Sequence, residues 1–571
     1  MRVYLGNSQE ILKDWKEFLI HPPKRVGVDT ETVSIDDISL IGIGVAYSAV
    51  DAFYITVDDD DFPELIKVLK RKDVRKVYHN APFDLRVLRK YGVDVNEVDD
   101  TALMARLDMQ RSAVLEDVSI WVQYEQFGDR QTSRMKGLFA EHGVSKVLDL
   151  PFEVLARKCC RDAQATWLLY EYFTDKIHMP YYEKMRRLIG VLSRISAQGI
   201  RLDQERLEEL RVYYDQKVIW WRQIFAQWGV NPASPKQVGM LLAERGNFLP
   251  PTKNKTALVT DSDHLQALKD PVAHAVLEFR RSNKMLGTYI TPLIGCERAY
   301  TTLKMEAATG RINSTNAGKG QPDRNLQNIP KNAEGKSGSN DTIRSAFIPD
   351  SGVFTKMDKS QVELRILAEL SGDEVMKELF LNGKDFHGDT QESLGISRVF
   401  AKNVNFSKVY GGGAEGTAKL IGTDDVRKVK RIMDQWDERY VQASKWLKQQ
   451  EIDGIRDGYV ETMGGRKIAL PFDRGEDHAR KCARNYPIQG SAFEDIAELM
   501  LDEEVLKYLD ITRLQIHDEL ILDGDVEVEG MEWNKEKSEK EGHNIWDVTG
   551  RLAWLSGYYA PLEVKKVTRW G

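Results

Sequence analysis

In LQIHDELIL, Leu514 to Leu522, a histidine and two acids, His517, Asp518 and Glu519, interrupt an apolar run. The apolar residues on either side read as two strands joined at a tight turn, with the three polar residues at the bend. Taken alone, such a bend is an ordinary hairpin tip, since most acids are simply solvated. Arms this apolar make the bend rigid, however, and a metal site needs rigid ligands. A partner acid should then end another strand. In VFTKMDKSQVELR, Val353 to Met357 reads as a strand ending at Asp358, followed by a helix from about Gln361 that carries Glu363 and Arg365. Two carboxylates facing each other and bridging two Mg²⁺ ions ~3.5–4 Å apart can activate an attacking oxygen and stabilise a leaving one. That is phosphoryl-transfer chemistry.

Between these acids lies SRVFAKNVNFSKVYGGG, Ser397 to Gly413. In a helix Arg398, Lys402, Phe406 and Tyr410 fall at successive i, i+4 positions and share one face. Cations for phosphates and rings for sugar and base could together grip a nucleoside triphosphate. An amphipathic helix with core aromatics and solvated cations explains the same spacing. A second acid set stands near the N-terminus. Alternation in RVGVDTET puts Asp29 and Glu31 on one strand face and Val26 and Val28 on the other. HNAPFD adds Asp84 just inside a helix, and KCCRDAQATW adds Asp162 on another. Four such carboxylates could hold two divalent ions and hydrolyse a phosphodiester.

The elements that must carry these residues fall into distinct regions. The first ~100 residues alternate short β-branched runs with helical stretches, the pattern of an α/β domain. From Tyr181 the pattern changes to long helices with a basic loop, Asn247 to Thr260, between them, which suggests a protruding arm. Around 301–350 the chain is polar and turn-rich, and strands and helices mix beyond it. With 571 residues the chain accommodates roughly three or four domains of about 150 residues. Its composition, 42% hydrophobic and 30% charged, is that of a soluble globular protein. No apolar stretch reaches the roughly 18 residues of a membrane span, and the N-terminus lacks a signal-peptide segment. Four cysteines, two of them adjacent, show no zinc spacing, which fits a reducing cytoplasmic setting, that of the host if the source is viral. A net charge of −7 mildly opposes nucleic-acid binding, although a basic cleft can coexist with an acidic exterior and metal sites themselves require carboxylates.

Taken together, in this order along the chain, the residues resemble family A DNA polymerases, the group of the bacterial repair polymerase and many phage replicases. DKSQVELR resembles the first palm motif, RVFAKNVNFSKVYG the fingers helix and IHDEL the second palm motif. The acids at 29, 31, 84 and 162 look like those of 3′-to-5′ proofreading exonucleases. The resemblance implies a mixed α/β and α+β multidomain fold, a ribonuclease H-like exonuclease domain followed by a right-hand polymerase. Expected boundaries are 1–180 for the exonuclease domain, 181–300 thumb, 301–375 first palm part, 376–475 fingers and 476–571 second palm part. It implies that Asp358, Asp518 and the carbonyl of Lys359 hold two Mg²⁺ ions, replaceable by Mn²⁺, with Glu519 as accessory acid. Arg398 and Lys402 would hold the triphosphate, and Lys402 would also protonate the departing pyrophosphate. Phe406, Tyr410 and Gln361 would line the sugar and base pocket, Glu363 would block a 2′-hydroxyl, and His517 would stand at the primer terminus. Arg311 in TGRINS, Asn325, Gln327 and Asn328 in RNLQNIP, and Arg480, Asn485 and Gln489 in ARKCARNYPIQGSA match positions that contact primer and template. Partners implied are primer-template DNA and deoxynucleoside triphosphates, with a monomeric enzyme and no membrane.

Three positions depart from the family pattern: Lys158 and Lys359 stand where tyrosine is usual, and Ser407 where glycine is usual. The 5′-nuclease domain of many bacterial relatives is not expected here. Other readings are a single-subunit RNA polymerase, which Glu363 and the exonuclease-like acids oppose, and a non-synthesising polymerase-like DNA-binding protein, which the pair Asp358 and Asp518 opposes. A stand-alone nuclease with a helical extension leaves the 398–410 pattern unexplained.

Overall fold

The β-branched runs near the N-terminus pair into a six-stranded mixed sheet. Across it the strands lie in the order Arg2–Leu5, Ala52–Thr56, Leu40–Ala46, Arg25–Thr32, Arg75–Tyr78 and Val98–Asp100. The first three junctions are antiparallel and the last two parallel. The structure, a computed structural model, describes residues 2–5, 11–34, 37–93, 98–109, 113–115, 117–118, 134–252, 254, 256–315, 324–330, 342–526 and 562–570.

Helix Phe152–Thr174 lies across this sheet at backbone contact distance. A Cβ at Gly27 would stand 2.3 Å from the Ala163 carbonyl oxygen, and one at Gly44 would stand 2.7 Å from that of Cys159. Only glycine allows so close an approach. The same closeness buries the small residues Cys159, Cys160 and Ala163 and presses the helix against strands Arg25–Thr32 and Leu40–Ala46.

A second sheet, four-stranded and antiparallel, runs in the order Thr512–Ile516, Glu519–Asp523, Phe354–Lys359 and Leu562–Val567. Helices Met179–Gln198 and Glu476–Leu501 build its core with Leu188, Ile195, Ile496, Met500, Leu514 and Leu520. That core is continuous with the core of the N-terminal sheet. Tyr182 joins the two units, its hydroxyl donating to Asp99 at 2.9 Å and accepting from the Asp100 backbone N–H at 3.1 Å. Helix Met179–Gln198, which the sequence reading joins to the arm, thus belongs to this shared core. Periodicity marks a helix and its apolar face but not the surface that face meets.

The arm has its own small core, Phe225, Val238, Leu242, Leu265, Val272 and Val276, between helices Gln204–Ala226 and Pro271–Lys284. A further helical unit runs from Val362–Ser371 to Val441–Asp457 around Phe386, Val404, Val429, Trp436 and Tyr440. Its helices start at Asp373, Asp385, Ser397 and Asp425, whose side chains accept from backbone N–H groups of the first turn. Among the described residues no helix is long and apolar enough to cross a membrane, and the four cysteines are free thiols.

Candidate active sites

The hairpin forms where its alternation places it, Thr512–Ile516 and Glu519–Asp523 closing at His517 and Asp518. Strand Phe354–Lys359 pairs with its second arm so that Asp358 lies opposite Glu519. On the other side Asp358 lies opposite Glu563 of the last strand, an acid the sequence reading missed because 39 residues separate it from the hairpin motif's end and nothing local marks it. The Lys359 N–H donates to the Asp518 carbonyl at 3.0 Å, which ties the two acid-bearing segments together at their ends. Enclosure, and after it the negative charge of Asp358, push the Asp518 carboxyl up to about 7. All-oxygen donors under mutual repulsion suit a hard divalent cation. Glu519 is ion-paired with Lys356 at 2.6 Å.

Asp518 opens onto a cavity of about 410 Å³ lined also by Arg311, Gln361, Glu363, Lys402, Phe406, Tyr410, Gln489 and His517. Helix Arg398–Val409, capped by Ser397, presents Lys402 and Phe406 to it, with the Lys402 ammonium 5.8 Å from the Phe406 ring centre. Tyr410 follows the helix end and still stacks on Phe406, centroids 5.9 Å apart. Its hydroxyl donates to Glu363 at 2.5 Å. Partial enclosure of the His517 ring, then the Arg311 and Arg344 guanidiniums, drive its pKa down to about 4. The neutral ring accepts from Arg311 Nη2 at 2.6 Å. His387 also lines the cavity, its Nδ1 2.9 Å from Asn405 Nδ2 and its ring 5.7 Å from Phe406. The sequence reading missed it; Asp385 two residues earlier marks a helix start, but nothing local points that helix at the cavity.

Most of the other expected residues lie apart from the cavity, Gln489 being the exception. Arg398 pairs with Asp385 at 2.8 Å on the outer side. Arg480 pairs along its own helix with Glu476, and Asn485 is buried. Asn325 caps the turn Leu326–Asn328, and Asn328 is exposed. Gln327 Nε2 donates to the Gln515 carbonyl at 3.0 Å and so braces the hairpin. Gln489 accepts from the Thr309 hydroxyl at 2.8 Å.

The four N-terminal acids also converge. Asp29 and Glu31 come from strand Arg25–Thr32, Asp84 from helix Ala81–Leu88 and Asp162 from helix Phe152–Thr174. Burial raises the Asp29 carboxyl well above the usual range, and the charge of Asp162 raises it further. Burial likewise pushes Asp84 up to about 7, although the Thr30 hydroxyl and N–H donate to it at 2.7 and 3.1 Å. Lys158 lies among them. Its Nζ is 3.3 Å from Glu31 and hydrogen-bonds Asp162. Cys159 Sγ lies within 4.8 Å of the Asp29 and Glu31 ligand atoms, but burial, then those acids, raise its thiol far up and keep it protonated. The available donors are therefore carboxylates. Among the described residues four non-glycines adopt left-handed φ, and three of them, Asn80, Gln361 and His517, adjoin these two sites.

A family model described as DNA polymerase family A matches residues 204–540, and one described as 3′-5′ exonuclease matches residues 7–141. Lys158 and Asp162 lie beyond the second match. Curated relatives include DNA polymerase I of Synechocystis, 26% identical over 565 residues, covering 87% of this chain and 56% of the relative. DNA polymerase I of Chloroflexus aurantiacus is 29% identical over 553 residues, covering 86% and 56%. The chain thus spans little more than half the length of these relatives. Among solved structures, the POL domain of Pol1 from M. smegmatis, in complex with DNA primer-template and dNTP, superposes with a TM-score of 0.74 at 24% identity, covering 99% of this chain and 98% of that one. At that identity the likeness shows the fold, an α/β domain followed by the thumb, palm and fingers of a right hand.

Proposed function

The chain belongs to DNA polymerase family A, and from that premise we propose that it is a template-directed DNA polymerase that extends a primer 3′-hydroxyl with deoxynucleotides and excises 3′ ends in its N-terminal domain. One observation carries the reading. Asp518, tied through its carbonyl to the residue after Asp358, faces the same cavity as Lys402, Phe406, Tyr410 and Glu363. Asp358, Asp518 and the Lys359 carbonyl would hold two Mg²⁺ ions, or Mn²⁺ in their place, which when bound acidify the 3′-hydroxyl and offset charge at the phosphates.

The chain's own groups do the rest. Lys402 reaches the triphosphate from the fingers helix and can give its proton to the departing pyrophosphate. Phe406 and Tyr410 form a wall for sugar and base. Glu363, fixed by the Tyr410 hydroxyl, stands where a 2′-hydroxyl would need space. His517, neutral and accepting from Arg311 at Nδ1, keeps its proton on Nε2 and can donate from there beside the primer end. Arg398 must leave Asp385 to join the triphosphate, so its contribution belongs to a closed fingers state. Arg311, Asn325, Gln327, Asn328, Arg480, Asn485 and Gln489 would follow primer and template, and the arm would grip the duplex through phosphates.

Primer extension on a templated oligonucleotide tests this. Asp518→Ala should lose at least about a thousandfold in rate, ~4 kcal/mol of barrier, while digestion of a single-stranded 3′ end persists. Wild-type protein that extends no primer, or an Asp518→Ala variant that extends normally, sinks the proposal. Preferential incorporation of ribonucleotides would favour the RNA polymerase reading.

A further inference from the structure

The N-terminal acid cluster contains a cation of its own. Lys158 sits one turn before Asp162 on helix Phe152–Thr174, the spacing at which two side chains meet on one face. Its ammonium lies between Asp162 of its own helix and Glu31 of the facing strand. The three side chains are 11%, 6% and 7% exposed, so solvent does not compete for these contacts. The helix cannot easily withdraw the ammonium. Its backbone rests on Gly27 and Gly44 at distances no Cβ tolerates, and its next two residues, Cys159 and Cys160, are wholly buried.

We infer that Lys158 supplies one of the two positive centres these carboxylates require, so that the exonuclease site takes a single divalent cation. This rests on reading the N-terminal domain as an exonuclease. A divalent ion bridging Glu31 and Asp162 would bind their oxygens at about 2.0–2.1 Å if it were Mg²⁺. It would then occupy the space between those acids that the Lys158 ammonium fills, and like charge would oppose it. The remaining ion has Asp29 and Glu31, whose ligand atoms lie within 4.8 Å of one another, to hold it, with Asp84 a further acid of the cluster. Lys158 here is a positioning residue: it orders Glu31 and Asp162 without a metal and leaves one metal position open.

Counting bound ions separates the possibilities. Mn²⁺ binding to the full chain, followed by electron paramagnetic resonance, is measured for wild type, Lys158→Met, Lys158→Tyr and the double variant Asp29→Asn with Asp162→Asn. The double variant reports the ions bound elsewhere, and the excess over it belongs to the cluster. The expected excess is one ion in wild type and two in Lys158→Met and Lys158→Tyr. An excess of two or of none in wild type, or no rise in whichever Lys158 variant folds, overturns the inference. Digestion of a single-stranded 3′ end is assayed separately. Failure of both wild type and Lys158→Tyr to digest would remove the exonuclease reading, while the ion count still decides the role of Lys158.

Discussion

Removing either partner of the buried ion pair Lys359–Asp495 should destabilise the sheet that carries Asp358. Lys359 ends strand Phe354–Lys359 and sends its ammonium inward to Asp495 of helix Glu476–Leu501, 3.0 Å away, with both side chains 2% exposed. At an effective dielectric of ~20, charges ~3 Å apart attract by roughly 5–6 kcal/mol, most of it offset by the desolvation of both groups. Lys359→Met leaves a carboxylate in the core and should cost about 3–5 kcal/mol, whereas Lys359→Met with Asp495→Leu should return to within about 1 kcal/mol of wild type. The pH dependence has a definite sign. Burial already raises the Asp495 carboxyl, and Lys359 is what opposes the rise. Without the lysine the folded value climbs further above the unfolded ~3.9. The stability of the single variant should therefore be fullest below pH ~4 and fall as pH rises through the folded value, so its deficit against wild type widens toward neutrality. Equilibrium urea unfolding of wild type, Lys359→Met, Asp495→Leu and the double variant across that range measures all of this. Because Lys359 follows Asp358, the single variant should also need more Mg²⁺ for half-maximal extension. A single variant within 1 kcal/mol of wild type, or a double variant as weak as the sum of the singles, would refute the reasoning.

Further outcomes are expected elsewhere in the molecule. Without divalent ions, protonated Asp518 contributes stability that is complete below pH ~4 and lost as pH rises through about 7. In EDTA at pH 8, Asp518→Asn should then exceed wild type by on the order of 1 kcal/mol after solvent screening, with no difference at pH 4, as thermal unfolding will show. Glu363→Ala removes the acceptor of the Tyr410 hydroxyl and opens the cavity wall. Its discrimination against ribonucleotides should drop roughly 10- to 100-fold, and unchanged discrimination in single-nucleotide incorporation would clear Glu363 of that role. Gly44→Ala places a Cβ 2.7 Å from the Cys159 carbonyl oxygen and must push helix Phe152–Thr174 outward. It should cost about 1–3 kcal/mol and reduce 3′-end excision while primer extension, assayed in parallel, continues.

Much of the site was legible because its signals are local. The alternation around His517, Asp518 and Glu519 forms the hairpin it predicts, and the strand before Asp358 shifts by a residue, to Phe354–Lys359. The i, i+4 row from Arg398 forms a helix through Val409, with Tyr410 just past its end yet still stacked on Phe406. The same row does not act as a unit: Lys402, Phe406 and Tyr410 face the cavity, and Arg398 turns away to Asp385. Spacing gives a shared helix face, but an ion pair with a neighbouring helix can redirect its first residue.

By itself the sequence determined which segments become strands and helices, where the apolar faces lie, and which acids stand at strand ends, because backbone periodicity and capping act over a few residues. Only the tertiary structure decided what those faces meet. It brought Arg311 to His517 across 206 positions, buried Lys359 against Asp495, turned His387 toward Phe406 and set Lys158 among the N-terminal acids. Packing makes such pairs by matching shape and charge between distant segments, and a glycine such as Gly27 shows its purpose only when the helix that needs the space is in place.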